Sequence, residues 1–431
     1  MDKAIINAKL LQNDTFVTRN IYIREGRIEK ISSRRIAAEK RIDIRGKIVL
    51  PGLIDEHVHF RMPGFPHKED WKTGSYAAAA GGVTTVLDMP NTNPPTTSQD
   101  SLLLKRECAK KSLIDYGFHF GATNDNIKEI AGARNVAGIK IHMGSTTGSL
   151  LTDDPKVIEK AMLAATIPVL VHAEDEALMK LNAEKYKSHH EPFIHNLVRS
   201  NEVCARASKL AIHLAGKTTR LHIAHVSTKE ELDLLKRAPS NVTAETCPHY
   251  LFLNKNDVKR LGNFGKMNPS LKSSIDQAAL WQGLKGGRIT AIATDHAPHT
   301  IEEKQQDYWK APSGVPGVQT MLPLLLDAVN KRKITLRNLV SLTSKNPARL
   351  FRIKGKGMVS PGSDADLVIV DMKRVHSIKD EEQYSKCAWT PYDGMKVKGW
   401  PVMTLARGNI IFDGEIIEGH TGSEVTYERS I

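Results

Sequence analysis

Histidine, lysine and aspartate residues recur where short apolar segments of this sequence end. His57 and His59 are separated by one residue, and alternate residues of a strand share a face, so both imidazoles can bind one metal ion. An isolated H-x-H pair is a weak signal, because many such pairs lie on surfaces by accident. Three later apolar segments strengthen the signal, since they end in His172, His225 and Asp295.

Lys140 lies inside another apolar segment, residues 137–143 (AGIKIHM). A protonated lysine would be repelled by nearby metal cations, whereas a lysine with a lowered pKa can react with CO2 to form a carbamate. The carbamate is an anion with two oxygens that can bridge two metal ions. The alternative is a surface or salt-bridged lysine, which the apolar surroundings disfavour.

The elements that position these residues alternate between strands and helices. Capping boxes at residues 227–230 and 274–277 predict two helix starts. The predicted strands end near His57, Pro90, Thr123, Met143, Glu174, Ser227, Tyr250 and Asp295. Eight strand–helix units favour an α/β fold of the (β/α)8 barrel type, whose active sites lie at the carboxyl ends of the strands. A doubly wound sheet would alternate similarly, but no G-x-G-x-x-G follows an early strand.

Both chain ends differ from the middle in having short strand segments with glycine-rich turns. They include residues 4–10, 21–28 and 42–50 near the N-terminus and 366–371 and 405–411 near the C-terminus. We therefore expect a small β-sandwich domain built from both termini. The predicted division is 1–52 and 353–431 for this domain and 53–352 for the barrel.

Composition excludes several classes of protein. The 431 residues carry 61 Lys and Arg against 48 Asp and Glu, a net charge of +13, but no basic run interleaves with aromatic residues. This pattern argues against nucleic-acid binding and allows an anionic small substrate. No apolar run is long enough to cross a bilayer, residues 1–17 lack a secretory signal, and the four cysteines form no C-x-x-C pair. We expect a cytoplasmic protein with reduced thiols and no membrane partner.

The set of H-x-H, Lys, His, His and Asp on successive strands resembles the amidohydrolase superfamily with a binuclear metal centre. The resemblance covers nearly the whole chain. Five segments are similar to the dihydroorotase family: residues 57–64 (HVHFRMPG), 88–92 (DMPNT), 266–269 (KMNP), 294–299 (TDHAPH) and 311–317 (APSGVPG).

The resemblance implies two divalent metal ions, with Zn²⁺ expected and Co²⁺ or Mn²⁺ equally compatible with such ligands. The first ion would be held by His57, His59 and Asp295, and the second by His172 and His225. Carboxylated Lys140, carrying a CO2-derived carbamate, would bridge them together with a hydroxide.

The resemblance also assigns a catalytic residue and a substrate site. Asp295 would be both a metal ligand and the catalytic acid/base. The substrate carboxylate would be bound by Arg61, Asn91 and His299, with His59 bordering the same subsite. The ring would contact Asn268, Ser313 and Gly314.

The implied reaction is the reversible cyclisation of N-carbamoyl-L-aspartate to L-dihydroorotate and water in de novo pyrimidine biosynthesis. The first alternative is a hydantoinase, dihydropyrimidinase or allantoinase, whose substrates lack the carboxylate that Arg61 would bind. A metal-free scaffold relative is a second alternative, although every ligand position is filled here. Homo-oligomer formation and association with aspartate carbamoyltransferase are left open by the sequence.

One departure concerns the bridging ligand. A bacterial branch of dihydroorotases lacks the lysine and uses an aspartate from a T-D-D-G segment, and this chain also has Thr152, Asp153 and Asp154. The strand-end register fits Lys140, so we expect Asp153 and Asp154 to lie in a loop or at a helix start.

Overall fold

Sixteen strands and fifteen α-helices occur in the computed structural model, which describes residues 1–148 and 150–428. The strands are β1 (Lys3–Gln12), β2 (Thr15–Arg24), β3 (Arg27–Ser32), β4 (Lys40–Asp43), β5 (Ile48–Pro51), β6 (Leu53–Val58), β7 (Val83–Asp88), β8 (Asp115–Gly121), β9 (Gly138–His142), β10 (Val169–His172), β11 (Leu221–Ile223), β12 (Val242–Thr246), β13 (Ala291–Ile292), β14 (Leu367–Ser377), β15 (Lys396–Ala406) and β16 (Asn409–Phe412). The helices are α1 (Trp71–Ala80), α2 (Gln99–Ala109), α3 (Ile127–Gly132), α4 (Pro155–Ala164), α5 (Glu176–Tyr186), α6 (His195–Val198), α7 (Asn201–Ala215), α8 (Lys229–Leu235), α9 (Pro248–Phe252), α10 (Val258–Leu261), α11 (Ser274–Lys285), α12 (Ile301–Lys304), α13 (Met321–Asn330), α14 (Leu336–Val340) and α15 (Asn346–Leu350).

Strands β6 to β13 form the predicted barrel. They follow one another in spatial order, and each pairs in parallel with the next. A parallel bridge between Val58 and His296 joins the first strand to the segment after the last, and the His59 N–H donates to the His296 carbonyl at 2.8 Å. Strands such as β7 and β8 are buried along their whole length, as expected for parallel strands that carry helices on their outer face. The (β/α)8 architecture is therefore confirmed.

Both predicted helix starts are present, but each capping box is displaced by one residue from the predicted one. Thr228 caps α8 and pairs with Glu231, whereas the sequence pattern pointed to residues 227–230. Ser273 caps α11 and pairs with Asp276, instead of the box predicted at 274–277. In both segments the neighbouring Ser or Thr forms the cap instead, and its acidic partner, Glu231 or Asp276, is buried.

The terminal strands form a second sheet that draws on both ends of the chain, as predicted. Its order is β16-β15-β14-β5-β1-β2-β3, with β4 paired to β1. The two chain ends meet where β5 pairs antiparallel with β14, for example Val49 with Ile369. This sheet covers an apolar cluster of its own, including Ile5, Ile21 and Leu367. Residues 429–431 of the predicted C-terminal part lie outside the described residues.

Two expectations from composition can be compared with the structure. Among the described residues, no helix has both the length and the apolar character needed to span a bilayer. All four cysteines are free thiols, in agreement with the scattered spacing.

A buried ion cluster connects the barrel to the terminal sheet. The Lys356 ammonium lies 2.5 Å from Asp115 at the start of β8, 2.5 Å from Asp366 and 3.0 Å from Asp364, the last two just before β14. The Lys356 side chain is only 2% exposed. Although burial opposes ionisation of Lys356, the three carboxylates raise its pKa well above the usual value. The cation thus stabilises carboxylates contributed by both sheets.

We expect Lys356→Met to lower the free energy of unfolding by about 3–5 kcal/mol, because removing one partner leaves the others as uncompensated buried charges. Guanidinium unfolding monitored by circular dichroism measures the change. Exposed Lys354 provides the matched control, and Lys354→Met should change stability by less than about 0.5 kcal/mol. Equal stability of the two variants would contradict the interpretation.

Candidate active site

A cavity opens at the carboxyl end of the barrel strands and collects nearly all the residues selected from the sequence. It is lined by His57, His59, Arg61, Asn91, Lys140, His142, Thr146, Thr147, His172, His225, Asn268, Asp295, Ala297, Ser313 and Gly314. Of the predicted site residues, only His299 is absent from this lining. His299 is fully buried and lies directly behind Arg61.

Three of the candidate metal ligands converge on one point of the cavity. Asp295 Oδ1 lies 2.9 Å from His59 Nε2 and 3.4 Å from His57 Nε2. The three donor atoms lie within 4.8 Å of one another. Although burial opposes ionisation of Asp295, His57 and His59 hold its pKa well below the usual range. The carboxylate is therefore ionised, as a metal ligand must be.

A second group of donors lies beside the first. His172 Nδ1 is 2.9 Å from His225 Nε2, and the rings of His57 and His225 are 5.5 Å apart. Lys140 projects into the same cavity from the middle of β9, and its buried ammonium nitrogen has no hydrogen-bond partner among the described residues. Burial lowers the pKa of Lys140 to about 8. Buried amines normally have hydrogen-bond partners, so the unpaired Lys140 nitrogen indicates that a further group completes its interactions.

Acceptors on the far side of three imidazoles fix their orientation. His57 Nδ1 contacts Glu245 Oε1 at 2.5 Å, and His59 Nδ1 contacts Asn91 Oδ1 at 2.7 Å. His172 Nε2 contacts Glu174 Oε2 at 2.9 Å. Glu245 and Asn91 accept the ring N–H of His57 and His59, and Glu174 faces His172 as an ion-pair partner. In each ring the other nitrogen is left directed into the cavity, the arrangement that metal-binding histidines require.

Beneath the cavity, the barrel interior holds charged residues that the sequence analysis did not select. Glu245 Oε2 lies 3.4 Å from His222 Nε2, which is 3.1 Å from Glu56 Oε1. Although burial opposes protonation of His222, the two carboxylates raise its pKa to about 9. The available signal was a glutamate in the otherwise uncharged strand β12 (VTAET).

The backbone reaches the site through conformations that strand periodicity does not predict. Arg61, His225 and Asp295 have φ angles of 62°, 41° and 47°. These left-handed conformations each cost on the order of 1–3 kcal/mol and persist only where surrounding contacts impose them. They turn the chain sharply after β6, β11 and β13, so the three side chains enter the cavity although they lie beyond the regular strands.

Arg61 is a buried cation facing the cavity. Its Nε donates to the Pro298 carbonyl at 3.1 Å, and its Nη2 lies 3.1 Å from His299 Nε2. Its exposure is 3%, and it makes no ion pair with any carboxylate among the described residues. Burial lowers its pKa to about 10, so it remains charged at neutral pH. The cavity therefore presents a guanidinium whose anionic partner is missing.

The remaining wall combines three loops. Asn91 Nδ2 donates to the Thr147 carbonyl at 2.9 Å, and Asn268 Nδ2 lies 3.2 Å from Thr146 Oγ1. Gly314 has φ 143°, and a Cβ there would lie 2.5 Å from the Ala297 carbonyl oxygen, so only glycine fits this turn. Thr146 and Thr147 could not be predicted, because they follow the Lys140 strand in a polar stretch without a distinguishing motif.

The alternative bridging aspartates lie away from the cavity. Asp154 is the N-cap of α4, and its carboxylate accepts a hydrogen bond from the Lys156 N–H at 2.8 Å. Asp153 and Asp154 are both exposed. Their place at a helix start agrees with the expectation, and Lys140 is the residue that lies among the candidate ligands.

The chemistry of the donors fits a pair of divalent ions. Imidazole nitrogens and a carboxylate are the ligands that zinc and related first-row metals prefer. His225 Nδ1, like Lys140 Nζ, is buried without a hydrogen-bond partner among the described residues. The lone pairs of these ligands lie within hydrogen-bonding distance of one another, but the site has too few protons to pair them all. This arrangement indicates that metal cations complete the site.

Comparison with known proteins agrees with the barrel and with this site. Residues 48–411 match the amidohydrolase family. The chain is 41% identical to a dihydroorotase of Halobacterium salinarum, over 88% of this chain and 89% of that protein. It is 38% identical to a dihydroorotase of Methanothermobacter thermautotrophicus, over 94% of each chain. The structure of an L-hydantoinase (dihydropyrimidinase) from Arthrobacter aurescens superposes with a TM-score of 0.94 at 30% identity, covering 99% of each chain.

These observations define a hydrolase built on a (β/α)8 barrel. The chain belongs to the amidohydrolase family.

We expect Glu245→Gln to weaken metal binding about 10- to 100-fold, because an amide oxygen accepts the His57 N–H less strongly than a carboxylate and makes the ring a weaker ligand. Competition against a chromophoric chelator measures the affinity. Glu231 is also a buried carboxylate but caps α8, where glutamine serves equally well. Glu231→Gln should therefore retain wild-type affinity, and the same loss in both variants would refute a specific role for Glu245.

Proposed function

We propose that this chain is a dihydroorotase, which reversibly cyclises N-carbamoyl-L-aspartate to L-dihydroorotate and water in pyrimidine biosynthesis. The relatives at 38–41% identity carry this name over most of their length. The observation within the site that carries the proposal is the buried guanidinium of Arg61, which forms no ion pair with a carboxylate of the described residues.

Arg61 separates this activity from those of related cyclic-amide hydrolases. Dihydroorotate has a carboxylate, which would supply the missing counterion through charge-assisted hydrogen bonds. Hydantoin, dihydrouracil and allantoin have none, so binding them would leave the Arg61 charge enclosed and unpaired, which is unfavourable. The 30% identical hydantoinase shares the fold, but a shared fold does not determine the substrate.

Two Zn²⁺ ions with a carbamate on Lys140 complete the proposed site. His57, His59 and Asp295 would hold one ion, His172 and His225 the other, and the carbamate both. The proposal is supported by the unpartnered, buried Lys140 nitrogen and by the convergence of the histidine lone pairs. When bound, such a metal pair lowers the pKa of water and polarises the amide carbonyl.

Asp295 is proposed to move the proton. Its carboxylate is ionised and faces the cavity beside His57 and His59. In hydrolysis it takes a proton from the attacking water and transfers it to the ring nitrogen as the C–N bond breaks. In cyclisation it takes the proton from the carbamoyl nitrogen and returns it to the departing oxygen.

Arg61 and His299 hold the carboxylate end of the substrate, with Asn91 and His59 alongside, while Asn268, Ser313 and Gly314 contact the ring.

A small anionic substrate agrees with the basic composition. A cytoplasmic location, the domain division at residues 52/53 and 352/353, and the absence of nucleic-acid partners stay predictions. Self-association and association with aspartate carbamoyltransferase stay open.

We expect Lys140→Ala to lose both metal and activity, and added short-chain carboxylates to restore part of each by replacing the carbamate. Metal analysis after gel filtration and turnover with and without acetate provide the measurements. Asp154→Asn is the matched control, since asparagine also caps helices well and this side chain lies outside the cavity. Metal loss in Asp154→Asn with retention in Lys140→Ala would reverse the assignment of the bridge. A wild-type protein that binds no divalent metal would favour the scaffold alternative.

The test of the substrate is the loss of ultraviolet absorbance when metal-loaded protein is incubated with dihydroorotate.

We expect Arg61→Met to lower kcat/KM for dihydroorotate at least about tenfold. A charge-assisted contact contributes about 1.5–3 kcal/mol, and about 1.4 kcal/mol corresponds to a tenfold change. Metal content should not change, because Arg61 is not a ligand. Arg134→Met, at an exposed position in the loop between α3 and β9, is the control with the same loss of charge. Preference of the wild-type protein for dihydrouracil, hydantoin or allantoin would refute the dihydroorotase assignment.

A further inference from the structure

A buried lysine outside the cavity joins the two loops that face the substrate ring. Lys304 ends α12 and is completely buried. Its ammonium donates to three backbone carbonyls, those of Lys266 at 3.0 Å, Pro312 at 2.9 Å and Gly314 at 3.0 Å. Burial, together with Lys266 and Arg61, lowers the pKa of Lys304 well below its usual value. Three carbonyl acceptors nevertheless match the three N–H donors of the ammonium form, which is the form that satisfies all of them.

The three carbonyls belong to the segments that carry the proposed ring contacts. Pro312 and Gly314 flank Ser313, and Lys266 lies two residues before Asn268. The Gly314 N–H also donates to the Lys266 carbonyl at 2.9 Å. One cation therefore holds Ser313 and Gly314 at a fixed distance from the segment of Asn268.

Further contacts make the position of this loop matter for the rest of the site. The Ser313 carbonyl lies 3.1 Å from His299 Nε2 and accepts from Thr147 Oγ1 at 3.4 Å. Lys266 in turn donates through Nζ to the Tyr308 and Ala311 carbonyls, each at 2.6 Å. A shift of the loop would therefore also disturb His299, which lies against Arg61.

The choice of a lysine here is informative because burying an ammonium is costly. An apolar residue would avoid that cost but would leave the Pro312 and Gly314 carbonyls without a donor among the described residues. Lys304 does not line the active-site cavity and forms no ion pair among the described residues, so these carbonyls are its main partners. We propose that Lys304 is a positioning residue that sets substrate affinity by holding the Ser313–Gly314 turn against the Asn268 segment. This inference rests on the proposed function only in naming dihydroorotate as the substrate.

The test compares Lys304→Met with Lys310→Met, a matched control in which an exposed lysine of the same loop is replaced. We expect Lys304→Met to raise KM for dihydroorotate at least about tenfold while kcat, per metal-loaded site, changes by less than about threefold. Amide hydrogen exchange of residues 305–316 should accelerate in Lys304→Met alone. Lys304→Gln keeps two N–H donors and should show the same changes at smaller size, which provides a test if the methionine variant does not fold.

The outcomes separate the two proposals. If wild-type protein does not convert dihydroorotate, the proposed substrate is wrong, and the exchange rates still decide whether Lys304 holds the loop. A lower kcat with unchanged KM would indicate general damage and overturn the positioning role. Wild-type KM and exchange rates in a folded Lys304 variant would overturn it as well.

Discussion

The site depends on a carboxylate that is buried inside the barrel, that of Glu245. It contacts His57 Nδ1 on one side and His222 on the other, and it accepts the His225 N–H at 3.3 Å. An unpaired charge at this depth would be strongly destabilising, so the ring orientations that neutralise Glu245 are imposed by the fold. Because His57 satisfies the carboxylate with one ring nitrogen, its other nitrogen is left to face Asp295. The electrostatics of the barrel interior thus position the chemistry above it.

Barrel closure provides the second constraint. His59 and Asp295 are 236 residues apart in sequence, yet their side chains are in contact. The junction between the first and last strands is held by Asp55, whose carboxylate accepts from the Thr294 N–H at 3.0 Å and from its hydroxyl at 2.5 Å. This junction lies immediately below the candidate metal ligands, so the donor atoms of the first group come together as the barrel closes.

The barrel and most of the cavity lining could be predicted because strand periodicity and ligand spacing are local signals. Lys140 was favoured over Asp153 and Asp154 from register alone. Features that depend on three-dimensional pairing could not be predicted in this way. Glu245 and Lys304 act through partners distant in sequence, and the left-handed turn at Arg61 replaces the extended chain that strand alternation assumes. Neighbouring Ser and Thr residues at a helix start likewise give similar local signals, and contacts distant in sequence decide which of them caps the helix.

Sequence relatives and structural neighbours suggest different substrates, and the geometry explains why. In the proposed site, the barrel, the histidines and Lys140 would do the chemistry common to cyclic amides, and a hydantoinase matches 99% of the chain at a TM-score of 0.94. Selection among substrates falls to side chains beyond the strand ends, where a few residues change the charge of the cavity while the backbone stays the same. A guanidinium enclosed there costs stability unless an anion joins it. For that reason the charge of Arg61 is more informative about the substrate than the similarity of the whole fold.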